Sequence, residues 1–152
     1  MRRVPAFFAL LAMAAGFAFS TEAATARIIK VLPHFLDRDG RSSLSPSLYE
    51  RDAYQVFLRK NPEQCSGLRF DIQWKVSKAD WSQLKLRVEI RGSKTATPHI
   101  LERPVKRNHW YSRWSSLGLE GATYQQLGEV IAWRATLWEG NRLLVEQKSF
   151  LW

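Results

Sequence analysis

Cysteine is almost missing from this chain: Cys65 stands alone in 152 residues. No internal disulfide can form, so stability has to come from packing. Histidine is scarce too, with His34, His99 and His109 the full set. None lies at the H-x-x-x-H spacing that would place two imidazoles on one ion, and a single thiol makes no thiolate cluster. No P-loop, G-x-G-x-x-G or G-x-S-x-G occurs, which removes the local signatures of phosphate cradling, dinucleotide binding and a serine nucleophile elbow. The expectation is a chain without cofactor or bound metal. Repeats, low-complexity tracts and Pro/Gly-rich linkers are absent as well, so a single domain is expected.

Acidic residues are in deficit: 14 against 23 basic ones, for a formal net charge of +9. Asp37-Arg38-Asp39-Gly40 hints at a calcium loop, but its register fails. With Gly40 at the sixth position, Phe35 stands first and Pro46 twelfth, where an acidic ligand is required. A solvated Asp/Gly turn is the better reading of this stretch.

What the chain does have begins at its start. Arg2 and Arg3 precede an apolar run over residues 4–19, followed by small residues and Ala24-Thr25-Ala26, the pattern of a secretory signal with an A-x-A cleavage site. The apolar run is short of the roughly 20 residues that span a bilayer. Cleavage after Ala26, with Ala23 as the other position, would leave residues 27–152 as one exported domain, periplasmic or secreted, with no membrane span. Residues 1–26 carry two arginines and one glutamate, so 23 basic residues become 21, 14 acidic become 13, and the mature charge is +8.

The mature chain mostly alternates. Phe70, Ile72, Trp74 and Val76 share one face and Asp71, Gln73 and Lys75 the other; Leu84, Leu86, Val88 and Ile90 alternate with Lys85, Arg87, Glu89 and Arg91 in the same way. Such a period of two marks half-buried strands. An opening strand in RIIKVL is held to an edge by Pro33, and Pro98 and Pro104 argue the same for PHILERPV. A further strand is expected over residues 110–119. A closing hairpin has Ile131, Trp133, Ala135 and Leu137 on one face and Glu139-Gly140-Asn141-Arg142 as its turn. One stretch departs: SPSLYERDAYQVFLRKNP sets Tyr49, Ala53, Val56 and Phe57 at helical spacing. Ser47 and Glu50 form a capping box before it, and Asn61-Pro62 stops it. Its aromatic stripe is expected to lie on a sheet edge or sandwich end.

The terminal Phe150-Leu151-Trp152 poses a choice between the last strand of a transmembrane barrel and that of a sandwich. Counting back from Trp152, the alternate row is Phe150, Lys148, Glu146 and Leu144, which would put two charges into lipid. That favours a sandwich, with the final strand pairing with the one over residues 129–138 and Phe150 and Trp152 covering one end of the core. A small outer-membrane barrel is the lesser alternative.

Seven short strands with a Trp in a late one resemble an immunoglobulin or fibronectin type III sandwich. LGLEGATYQQLGEVIAW is similar to the corner before the sixth strand of those domains, with Leu119, Gly121 and Tyr124 as the matching residues. The resemblance implies an all-β, immunoglobulin-like antiparallel β-sandwich of about seven strands, to which the helical spacing over residues 45–62 adds one helix inserted after the first strand. LPHFLD, SPSLYERDAYQ and the terminal QKSFLW also resemble a family of exported bacterial proteins. Neither likeness implies an activity.

A hydrolase would need a positioned base and oxyanion donors that no local motif announces, so the expectation is a non-catalytic binding or interaction module of the cell envelope. VKRNHWYSRWSS is the candidate surface. In it Arg107 and Arg113 alternate with Trp110, Tyr111 and Trp114, residues that can stack on sugars while pairing with carboxylates or phosphates. The alternative is that the tryptophans pack inside the sandwich. The implied partner is an envelope protein or an anionic glycan; nucleic acid suits the charge but not an exported chain.

Overall fold

Alternating apolar residues can be buried only if two sheets face each other, and they do. The computed structural model describes residues 23–105 and 113–152. Among them are seven strands, β1 (Thr25–Asp37), β2 (Cys65–Ser77), β3 (Leu84–Gly92), β4 (His99–Pro104), β5 (Arg113–Glu120), β6 (Val130–Glu139) and β7 (Arg142–Lys148), with two helices, α1 (Leu48–Lys60) and α2 (Gly121–Leu127). One sheet has the order β1-β2-β5 and the other β4-β3-β6-β7. All pairings are antiparallel, and neither sheet closes on itself to make a barrel. In an immunoglobulin sandwich strands A, B and E share one sheet and C, F and G the other. β1, β2, β5 and β3, β6, β7 take those places, and β4 joins the second sheet beside β3. This is a likeness of architecture, which recurs without sequence similarity.

The inner faces follow the period of two. Phe70, Ile72 and Trp74 of β2 meet Leu86, Val88 and Ile90 of β3 and Ala135 and Leu137 of β6 in one buried cluster. Trp133 packs against that cluster from its margin, and its ring meets Phe70 of the opposite sheet edge to face at 6.2 Å. The β6–β7 turn places Gly140 at φ +56°, a conformation a side chain resists, at the first of two central positions. All three prolines expected at edges lie in or beside edge strands: Pro33 in β1, Pro104 in β4 and Pro98 just before it.

Several expectations give way. Ile131 was expected on the inner face with Trp133, yet it is half exposed. The ladder skips there, with Arg91 opposite Ala132 and Gly92 opposite Val130. Ile131 is thus the extra residue of a bulge, and the bulge turns it outward. The Tyr49, Ala53, Val56 and Phe57 stripe also faces solvent, with Tyr49 84 % exposed. α1 does lie along β1, but it turns Tyr54, Gln55 and Leu58 toward the sandwich. Polar bonds decide that face: the Gln55 amide accepts from the Phe35 N–H at 2.8 Å and donates to the Phe35 carbonyl at 3.0 Å, as a neighbouring strand would. Ser47 occupies the N-cap but its side chain caps nothing; Ser45 Oγ accepts the Ser47 N–H instead.

α2 was not expected at all. The corner resemblance ran a strand approach through residues that form two helical turns. α2 fits because Gly92 has no Cβ: one there would stand 2.0 Å from the Leu127 carbonyl oxygen. Cys65 opens β2 as a free thiol, buried against the end of α1. At the other end of the chain, β7 pairs with β6 as expected, but Phe150 covers nothing and is fully exposed. Ser149 ends the ladder, its N–H donating to the Trp133 carbonyl and its Oγ accepting the Trp133 N–H. A turn closed by Trp152 N–H to the Ser149 carbonyl then swings Trp152 onto the outer face of the second sheet. There its ring lies 4.3 Å from the Arg91 guanidinium and 4.9 Å from that of Arg134.

These placements separate two aromatic truncations. Trp133→Ala should cost about 3–5 kcal/mol in denaturant melts, whereas Phe150→Ala should stay within about 0.5 kcal/mol of the parent. Equal costs would show that the inner face is misassigned.

Candidate functional site

Four groups of side chains could carry chemistry or binding. The first is the Asp37 turn. Asp37 is buried, and its carboxylate accepts from the Asp39 and Arg41 N–H groups, from Arg41 Nε and from the Tyr54 hydroxyl at 2.7 Å. Burial alone would raise its pKa. The four donors outweigh that and hold it down to about 2. This turn was read as solvated; its first aspartate instead ties α1 to the end of β1. Among the described residues no group of acidic, histidine or cysteine side chains is arranged for a metal ion.

The second group lies on the outer face of the first sheet, where Asp71 accepts from His34 Nδ1 at 2.9 Å, from Ser116 Oγ at 2.5 Å and from Arg69 at 3.0 Å. Ser, His and Asp are the residue types of a hydrolase triad, but the order is wrong. The serine hydroxyl donates directly to the carboxylate, so no imidazole stands ready to take its proton. Burial pushes the Asp71 pKa up, the His34, Ser116 and Arg69 hydrogen bonds push it further down, and the carboxylate ends well below its ordinary range. It is a bound, ionised acid.

The third is a cleft of about 970 Å³ at the side of the sandwich, where Phe35 and Leu58 face Tyr124 and Trp133 above Cys65. The Cys65 thiol donates to the Leu58 carbonyl at 3.3 Å. Burial raises its pKa and also lifts that of Tyr124 to about 12. A thiol shifted that way is a poor nucleophile at neutral pH.

The fourth contains the only two candidate binding residues that the structure describes, and it divides them. Arg113 and Trp114 are consecutive in β5, so their side chains leave opposite faces. Arg113 opposes Trp74 and puts its guanidinium 3.9 Å from the Trp81 ring centre and 5.4 Å from that of Trp74. Trp114 opposes Gln73 on the outer face and is 50 % exposed. Arg107, Trp110 and Tyr111 lie outside the described residues.

The cations beside Trp114 come from elsewhere in the chain. On the same outer face Lys30 opposes Gln73, and Arg27 opposes Lys75. All three cations are exposed, and among the described residues no carboxylate lies within ion-pair distance of them. Asp71, the acid of that face nearest to them along β2, is occupied as described. On the outer face of the second sheet most cations have an acidic partner, although Lys148 stands opposite Arg134. Arg87 pairs with Glu102 at 2.6 Å, Lys85 with Glu102 at 3.3 Å and Arg134 with Glu89 at 2.5 Å. The motif search missed Arg27, Lys30 and Lys75 because they are scattered in sequence and only the β1–β2–β5 register gathers them. The alternating pattern did place Lys75 outward.

Comparison with protein-family models, curated proteins and solved structures returns no match. The functional reading therefore rests on these geometries.

The Asp37 turn makes a pH prediction. Its folded pKa of about 2 lies below that of an unfolded aspartate, near ~3.9. The stability it contributes, on the order of 2 kcal/mol, is present above about pH 4 and disappears as pH falls through about 2. Asp37→Asn should lower stability at pH 7 and flatten the slope of stability against pH between about 4 and 2, measured by urea melts. An unchanged slope would show that the hydrogen bonds of Asp37 do not hold its proton off.

Proposed function

We propose that this chain is exported and works as a non-catalytic binding module of the cell envelope. The observation that carries this reading is the difference between the two outer faces. The second sheet pairs most of its outer cations with acids, Lys85 and Arg87 with Glu102 and Arg134 with Glu89, even where Lys148 stands opposite Arg134. Among the described residues the first sheet gives Arg27, Lys30 and Lys75 no ion-pair partner, and they stand beside a half-exposed Trp114. Arg27 and Lys75 are directly opposed across the strands, an arrangement that costs stability and suits a surface meant to meet an anion. The ionised acids and the buried thiol are engaged in bonds that shape the fold, which favours binding over catalysis.

A second reading, a protein partner, is favoured by the solvent-facing apolar row of α1, where Tyr49, Val56 and Phe57 continue from Leu44 and Leu48. For export, the β1 ladder bears on the cleavage site. Thr25 and Ala26 already pair with Ser77 and Val76, so cleavage after Ala23 would keep the strand whole and cleavage after Ala26 would trim two rungs.

Two measurements test the proposal. Mass spectrometry of the secreted form should find Ala24 at the N-terminus; a chain retaining residues 1–20 in membranes would overturn export. In co-sedimentation with isolated cell envelopes, Lys30→Glu with Lys75→Glu should cut the bound fraction at least fivefold. Lys60→Glu with Lys148→Glu changes net charge equally and should cut it less than twofold. Equal losses would mean that net charge alone drives binding.

A further inference from the structure

We infer that the outer face of the first sheet binds a linear acidic polysaccharide whose sugars carry carboxylates. This inference rests on the binding-module reading and names its ligand class.

Three neighbouring strands form the platform. Lys30, Gln73 and Trp114 stand in one cross-strand row, because Lys30 pairs with Gln73 and Gln73 with Trp114. With strands about 4.8 Å apart, the row spans about 10 Å from β1 to β5, roughly the length of a disaccharide. The next row along the strands is Arg27 and Lys75, about 7 Å further on. Lys75 and Trp114 are diagonal neighbours, about 7–8 Å apart. The face therefore presents one flat indole, one amide and three cations within reach of a single short oligomer.

Each part answers to a different part of such a ligand. The Trp114 ring, half exposed on a sheet whose side chains stand perpendicular to it, offers a π face to the C–H groups on the flat side of a pyranose. Gln73 carries both donor and acceptor groups and so matches sugar hydroxyls, which are both as well. Lys30, Arg27 and Lys75 pair with carboxylates by charge-assisted hydrogen bonds. A plain polyanion would use the cations and leave the indole and amide idle. A neutral glycan would use the indole and amide and leave Arg27, Lys30 and Lys75 idle. Only a charged sugar uses all five side chains. Phosphate polymers are the less suitable anions, because among the described residues this face is built from strands β1, β2 and β5 and no helix N-terminus, a feature that favours phosphate, is part of it.

The test uses the whole mature chain and four defined probes: oligogalacturonate, poly-glutamate, single-stranded DNA and phosphatidylglycerol vesicles, at low and physiological salt. Oligogalacturonate should bind more tightly than poly-glutamate of equal charge, and than the two phosphate probes at physiological salt. Trp114→Ala should weaken oligogalacturonate binding at least tenfold and change poly-glutamate binding less than twofold. Trp114→Leu, which keeps apolar bulk without the flat ring, should behave like the alanine variant. Lys30→Gln with Lys75→Gln should weaken both carboxylate probes and reduce their salt dependence. All substituted residues are exposed, so melting temperatures should stay within a few degrees and certify the fold. If poly-glutamate binds as tightly as the sugar, or Trp114 does not matter, the sugar is wrong while the anion-binding face stands. If DNA or vesicles bind more tightly, the ligand class is overturned. If no probe responds to the Lys30 and Lys75 substitutions, the binding-module reading itself falls.

Discussion

With one cysteine and no bridge to staple it, the sandwich is shut by side chains alone, and the edge-to-face contact of Phe70 with Trp133 joins its two sheets near the mouth of the side cleft. Everything outward of that contact follows from it. Phe70 faces in, so Arg69 and Asp71 must face out. Trp133 faces in, so Arg134 must face out, where it can reach both Glu89 and the ring of Trp152. The core thereby dictates which charges share a surface. In this molecule the outer faces are a consequence of the inner ones.

The edges pose a separate problem, because unpaired strand edges invite other chains to pair with them. β1 is the long exposed edge. It is interrupted by a bulge at Ile29 and by Pro33, and at Phe35 its free backbone groups are taken by the Gln55 amide. α1 is therefore held by hydrogen bonds to an edge more than by burial of apolar area, since Leu58 is its one buried residue. That explains how a helix can leave Tyr49, Val56 and Phe57 in water and still have a fixed position. The Tyr54 hydroxyl and the Asp37 turn fix its other coordinate.

Strands with strict alternation were legible in the sequence because the period of two is written locally. β2 and β3 needed nothing beyond their own residues, and the prolines announced the edges. The helix was legible as a helix but not in its orientation. Its apolar stripe pointed one way, and two polar side chains, Tyr54 and Gln55, pointed the other and won, because they meet backbone and carboxylate groups contributed by residues 35–42. α2 was hidden because it depends on a close approach to Gly92, a residue about 30 positions earlier. The reach of Trp152 was hidden because the Ser149 side chain ends the strand. Of the candidate surface, Trp114 was visible as an aromatic beside cations in sequence, yet sequence neighbours in a strand point apart. Its spatial neighbours Lys30 and Lys75 belong to strands whose register no local pattern specifies.

The two outer faces can be weighed against each other on that basis. Both sheets had to expose one residue in two, and either could have been neutralised by placing acids opposite bases. β3, β4 and β6 do so, with Glu102 opposite Arg87 and Glu89 opposite Arg134. β1 and β2 do the reverse at Arg27 and Lys75; β6 and β7 also oppose Arg134 and Lys148, but there Glu89 pairs with the arginine. Such an opposition costs a few tenths of a kcal/mol up to about 1, and a single change to glutamate would remove it. Solubility does not require it, since the chain is already strongly basic elsewhere. Folding does not require it either, since neither side chain touches the core. On the proposed reading, an anion covering both residues would offset that cost, and a ligand lying flat across β1 and β2 would also come against the exposed indole of Trp114.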